Sequence, residues 1–182
     1  MRLPVLFVLA GLTLGVTACA SVAPPPVASS GAPLPVDGYD WHFSGDAASA
    51  RLAYGVEASD DVRLAMDCQA GAGRLDLIAN APEGTRPEIH LESGGDTERF
   101  PAASEPSIIH DGVFLTAEAA ADEPVFLRFR RLGWIAIWRG EEREPLAAHP
   151  GTLPQIERFF AFLRLTAALG SGAVPPAFGR DP

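Results

Sequence analysis

From Trp41 to Glu118 apolar and polar positions alternate with a period of two, and the alternation is broken repeatedly by glycine, proline, aspartate and serine. Successive side chains of a strand point to opposite faces, so such a pattern gives each strand one face for a core and one for water. Trp41 to Phe43 reads as a short first strand. Arg51 to Val56 sets Leu52, Tyr54 and Val56 on one side, and Val62 to Gln69 does the same with Val62, Leu64, Met66 and Cys68. Gly71-Ala72-Gly73 turns the chain into Arg74 to Ala79, carrying Leu75 and Leu77. Glu88 to Glu92 carries Ile89 and Leu91, and Ser93-Gly94-Gly95 leads to Thr97 to Phe100. Ser107 to His110 and Val113 to Glu118 flank Asp111-Gly112, which predicts a two-residue hairpin. Short turns between successive strands predict antiparallel pairing, because a parallel neighbour needs a long crossover.

After Glu118 the period changes. Asp122-Glu123-Pro124 offers a cap, an acid and an early proline, the opening of a helix that places Val125, Phe126, Phe129 and Leu132 on one side. A strand with Val125, Leu127 and Phe129 inward is the competing assignment. Trp134 to Trp138 reads as a strand apolar on both faces, Ile135 and Ile137 on one and the tryptophans on the other. Such a strand needs cover on both sides, and the last helix is the expected cover. That helix opens at Thr152-x-x-Gln155, a capping box with Pro154 in its first turn, and Ile156, Phe159, Phe160 and Leu163 form its core-facing stripe. The fold class expected is mainly β (α+β): an antiparallel β-sandwich or curled sheet closed by one or two helices near the C-terminus.

The ends of the chain follow different rules. Residues 1–18 begin with a single charge, Arg2, and continue through an apolar run from Leu3 to Val16, interrupted by Thr13 and shorter than the about 20 residues that span a bilayer. Val16-Thr17-Ala18-Cys19 closes the run with a branched apolar residue, two small ones and a cysteine. This segment resembles the lipobox signal of bacterial lipoproteins. The resemblance implies cleavage before Cys19 and acylation of its thiol, with the amine often acylated too; two or three chains anchor firmly where one is marginal. Ala20 in second place implies the outer membrane, facing the periplasm. The alternative is ordinary secretion to the periplasm, since Ala18-Cys19-Ala20 also fits an A-x-A exit. Residues 19–35 hold five prolines among small residues from Ser21 onward and predict an extended tether. Residues 36–169 form one β-rich domain, and 170–182 a loop-like tail.

Charge narrows the classes further. The chain carries −9, and Arg2 holds the one positive charge of the signal, so the exported part is more acidic still. A nucleic-acid binder of this size is basic, so that class is excluded as an expectation. Both processing routes deny Cys68 an intramolecular partner, which predicts a buried core thiol, with a reactive or intermolecular thiol as the alternative.

Candidate chemistry is sparse. The sequence holds no G-x-S-x-G, S-x-x-K or H-E-x-x-H pattern. His42, His90, His110 and His149 are far apart and lack a second ligand at metal spacing, so no metal and no cofactor is expected. His90, between Ile89 and Leu91, faces outward. His110-Asp111 is a possible dyad, but the turn needs Asp111. A symmetrical turn at Ala70 to Gly73 would set Met66 opposite Leu77, Cys68 opposite Leu75, and Asp67 opposite Asp76. That carboxylate pair could share a proton or hold a cation, or be a solvated charge cluster with Arg74. Arg128, Arg130, Arg131 and Arg139 make a basic island beside two tryptophans, and Arg128, Arg131 and Arg139 form the candidate binding patch; the alternative is a solvated face above two core tryptophans, with Glu141, Glu142 and Glu144 neutralising it.

The run from Trp41-x-Phe43 through ARLAYGVEASDDVRLAMDCQAGAGRLDL to IERFFAF is similar to a pattern in exported alphaproteobacterial proteins without a settled function. It implies a β-rich fold and transfers no active site. The functional expectation is a membrane-anchored, non-enzymatic envelope lipoprotein that binds an envelope protein or cell-wall polymer. A carrier of lipid or another apolar ligand is the alternative, and an enzyme using Asp67 and Asp76 or His110 comes third.

Overall fold

The computed structural model describes residues 31–108 and 111–169, the side chains of 165–169 excepted. The signal segment, Cys19, most of the tether, His110 and the tail lie outside them. The described chain is mainly β, with ten strands in two antiparallel sheets and two helices. In chain order the strands are β1 (Tyr39–Gly45), β2 (Ser49–Val56), β3 (Val62–Gln69), β4 (Arg74–Ala81), β5 (Glu88–Ser93), β6 (Asp96–Pro101), β7 (Ala103–Pro106) and β8 (Val113–Ala120). Helix α1 (Pro124–Leu132), β9 (Trp134–Arg139), β10 (Glu142–Ala147) and α2 (Leu153–Leu169) follow. The larger sheet runs β1-β2-β3-β4-β8-β7 and the smaller β10-β9-β5-β6.

Alternation decides which faces meet. Trp41, Leu52, Tyr54, Leu64, Met66, Leu75 and Leu77 point from the larger sheet into the core, and Ile89, Leu91, Ile135 and Ile137 from the smaller. Both helices lie along this interior. Helix α1 packs on β5, β6 and β9, and α2 on β1 and β2. Phe126 of α1 stacks on Phe100 of β6 at 5.8 Å between centroids, while Phe129, one turn on, meets Trp41 of β1 at 4.7 Å. One helix face is thereby shared between the two sheets. Trp41 also donates its indole N–H to the Leu146 carbonyl of β10 across 3.3 Å, which ties the sheets at their other edge. Ile156, Phe159, Phe160 and Leu163 of α2 are all buried, as their helical spacing predicts.

Several local expectations are corrected. The strand before β8 is Ala103–Pro106, with Pro106 paired to Val113; of the expected Ser107 to His110 strand, Ser107 and Ile108 lie outside it, and the remainder falls outside the described residues. The connection therefore spans residues 107–112, closed by the Ser107 N–H on the Gly112 carbonyl at 3.0 Å, in place of a two-residue turn. The helical assignment for Pro124–Leu132 holds over the strand. However, its N-cap is Glu123 without a side-chain cap bond, and Pro124 supplies the start by lacking the N–H that would be unsatisfied. The Thr152 hydroxyl donates to Asp40 rather than closing a capping box on its own helix. The tryptophans of β9 are covered by side chains of β5 and β10, whereas α2 lies on β1 and β2. Strand β10 has no alternation to announce it and carries Pro145, tolerated because β10 is an edge strand.

Candidate functional site

The outer face of the smaller sheet carries an organised set of polar and aromatic side chains. Register sets His90 of β5 opposite Trp138 of β9, and Trp138 opposite Arg143 of β10. The His90 and Trp138 rings stack at 5.7 Å with planes 18° apart. Glu92, two residues along β5 on the same face, accepts the Trp138 indole N–H at 3.0 Å. It also receives a two-pronged bond from Arg143, with Nε at 2.8 Å and Nη2 at 3.0 Å. The Arg143 guanidinium in turn lies over the Trp134 ring, 5.3 Å from its centroid. Planar fork-to-carboxylate pairs fix orientation as well as charge, so Trp138 is held by its edge and its face together.

These contacts set protonation. The hydrogen bonds from Arg143, with that from Trp138, hold the Glu92 carboxyl below the usual glutamate value. Partial burial, reinforced by the Arg99 cation, lowers His90, so its imidazole is neutral near pH 7.

Beside the stacked pair opens a cleft of about 570 Å³ between the Pro82–Arg86 segment, β5, β6 and the β9–β10 turn. Arg86, Glu88, His90, Arg99, Trp138, Arg139 and Glu142 line it. Both bordering turns depend on glycine. Thr85 N–H reaches the Pro82 carbonyl, and Gly84 sits third in that turn with φ 78°, the type II position that disfavours a side chain. Gly140, with φ 65°, is the first central residue of the two-residue link between Arg139 and Glu142. A second cleft of about 420 Å³, lined by Arg63, Asn80 and Asp111 among others, shares Pro82, Arg139 and Glu142 with the first. Arg139 forms the divide: its Nε donates to the Asn80 carbonyl at 3.0 Å and its Nη1 pairs with Glu144.

The sequence-predicted residues fall elsewhere, with two exceptions. Arg139 lines this cleft, and His90 faces outward as its alternation indicated. Arg128 and Arg131 sit on α1, where Arg128 pairs with Asp96 at 2.5 Å and Arg131 is exposed. Arg139 ends β9 at the far end from α1, about 16 Å away by the rise of a strand, so the three do not form one patch. Arg130 is drawn to α2, pairing with Glu157 at 3.2 Å and lying over Phe160. Asp67 and Asp76 are cross-strand partners on the outer face of the larger sheet. Arg51, opposite Asp67 on β2, binds it with two bonds of 2.6 Å, and Arg74 pairs with Glu118. The pair therefore belongs to a charge row across four strands. Cys68 is buried, and that burial pushes its thiol up to about 11.

Among the described residues no group of three or more His, Cys, Asp or Glu side chains is placed to hold a metal ion. Comparison with protein families, with curated proteins and with solved structures returns no match. The reading of function therefore stands on this chain's own chemistry.

Proposed function

We propose that the chain is an envelope lipoprotein, anchored through Cys19 at the outer membrane and spaced from it by residues 19–35, whose β domain is a non-enzymatic binding module. Its binding surface is the cleft beside His90 and Trp138. The observation that carries this is the fixed aromatic pair at the edge of an open cleft, with Glu92 and Arg143 holding Trp138 from behind. A concave site with a few oriented polar groups and shifted titrating side chains is the physical profile of a recognition surface.

The carrier alternative has less support. Trp41, Tyr54, Phe126, Phe129 and Phe159 are fully buried and occupy the space between the sheets that an enclosed ligand would need. Recognition on the outside is consistent with that packing, and the tether gives the domain reach to a partner or polymer in the envelope.

The test is crosslinked co-purification of the full-length protein from its native envelope, beside a Cys19→Ser variant and a Trp138→Ala, Arg99→Ala variant. A stoichiometric partner lost in the cleft variant supports the module, and its release from membranes with Cys19→Ser supports the anchor. Retention of every partner by the cleft variant removes the cleft from the account.

A further inference from the structure

We propose that the two clefts flanking Arg139 form one groove for a linear, uncharged oligosaccharide, with a sugar ring laid against the His90–Trp138 pair. This rests on the binding-module reading and names its ligand class. The shape argues for a polymer. Because the clefts share Pro82, Arg139 and Glu142, the groove continues from Arg99 and Glu88 on the smaller sheet to Arg63 and Asp111 beside the larger. It is open along its length, which suits a chain more than a compact molecule.

The charge argues for neutrality. Arg63, Arg86, Arg99 and Arg139 face Glu83, Glu88, Asp111, Glu142 and Glu144 along the groove. Several are already matched, Arg99 with Glu88 and Arg139 with Glu144. A strongly charged ligand of either sign would meet about as many like charges as opposite ones. Hydroxyl groups, which donate and accept, are served by both kinds, and planar carboxylates and guanidinium groups match neighbouring hydroxyls in pairs.

The apolar component is a single aromatic platform, which suits the C–H face of a sugar. A peptide recognised along its length needs alternating apolar pockets or a free strand edge. Here the apolar lining is confined to Ala81, Pro82 and Trp138, and the nearby edge strand β10 is interrupted by Pro145, which has no N–H to offer. The neutral imidazole of His90 adds one donor and one acceptor at the platform without adding charge.

The probes are chitohexaose, cellohexaose and maltohexaose, titrated into the full chain carrying Cys19→Ser and followed by calorimetry and tryptophan fluorescence. At least one is expected to bind, Trp138→Ala to weaken it tenfold or more, and Trp138→Phe to keep most of the affinity. Arg86→Ala with Glu142→Gln changes two exposed side chains; it is expected to weaken binding several-fold while leaving the unfolding midpoint in place. Arg128→Glu with Arg131→Glu is expected to leave binding unchanged. Binding unaffected by both groove variants overturns the proposal, as does binding of a heparin hexasaccharide or a capped hexa-alanine peptide in place of the three sugars. If no sugar binds while the cleft variant still loses its co-purified partner, the oligosaccharide is wrong and the binding module stands. If neither responds, both fail.

Discussion

On the outer face of the six-stranded sheet, Arg74 and Glu118 meet with side chains 63 % and 66 % exposed. On the outer face of the four-stranded sheet, Arg143 and Glu92 meet at 30 % and 16 %. The chemistry is the same and the surroundings are not. Arg74–Glu118 ends an exposed charge row in water, where entropy and screening cancel most of the attraction. Glu92 instead gathers three hydrogen bonds from two side chains, one of which stacks on His90 and the other on Trp134. Charges on the larger sheet keep a surface wet. On the smaller sheet they hold an aromatic ring in one orientation, which is what recognition requires.

The most demanding test of that contrast is deletion of the acceptor. Glu92→Ala strands a half-buried guanidinium and an indole N–H, and is expected to lower unfolding free energy by about 2–4 kcal/mol. Asp67→Ala on the larger sheet is expected to cost about 1 kcal/mol or less. Equal losses in chemical denaturation would break the comparison. A double-mutant cycle sharpens it: the Glu92–Arg143 coupling should exceed about 1 kcal/mol, and the Arg74–Glu118 coupling should stay under about 0.5 kcal/mol.

Acid titration separates the faces more finely. Glu92 has a depressed value in the fold, so its contribution is complete above the ordinary glutamate value of 4.5 and is lost as the pH falls through the depressed one. Glu92→Gln should flatten that part of the stability profile. His90 is also lowered, so below its ordinary 6.5 the unfolded chain takes the proton first, and stability declines from there down to the folded value. Arg99→Ala should move the His90 midpoint upward in a proton NMR titration. The smallest effect is expected at Cys68, on the inner side of the larger sheet. With its thiol pushed up to about 11 by burial, it should react with a disulfide reagent far more slowly in native protein than in denaturant.

Strands that bury one face were legible in sequence. Val62–Gln69 has the bounds its alternation set, and Asp67 meets Asp76 because the glycine turn between them fixes the register. Elements specified by tertiary cover were not. Ser107 to His110 has the composition of a strand, yet Ala103–Pro106 pairs with β8, where Ala103 meets Thr116. Strand β10 pairs through its backbone while Pro145 and three charged side chains mask it. Gly140 between Arg139 and Glu141 was the one local signal for that hairpin. The two clefts draw on Arg63, His90, Arg99 and Arg139, which sheet register brings together, and on Arg86 of the segment between β4 and β5. Of their residues, alternation pointed to His90 alone, by turning it outward.

Asp40 has a mechanical consequence. Its carboxylate accepts the Trp41 N–H at 2.8 Å, the His149 N–H at 3.2 Å and the Thr152 hydroxyl, fastening the start of β1 to the head of α2. Asp40 is the second residue of the seven-residue ladder between β1 and β2, so load arriving along the chain from before Val36 meets this clasp at the ladder's first pairs. If the proposed tether pulls on the domain, tension is taken at a polar buckle anchored in its last helix. In single-molecule pulling from the N-terminal side, Asp40→Ala should lower the first yield force while leaving the cleft beside the β9–β10 turn intact.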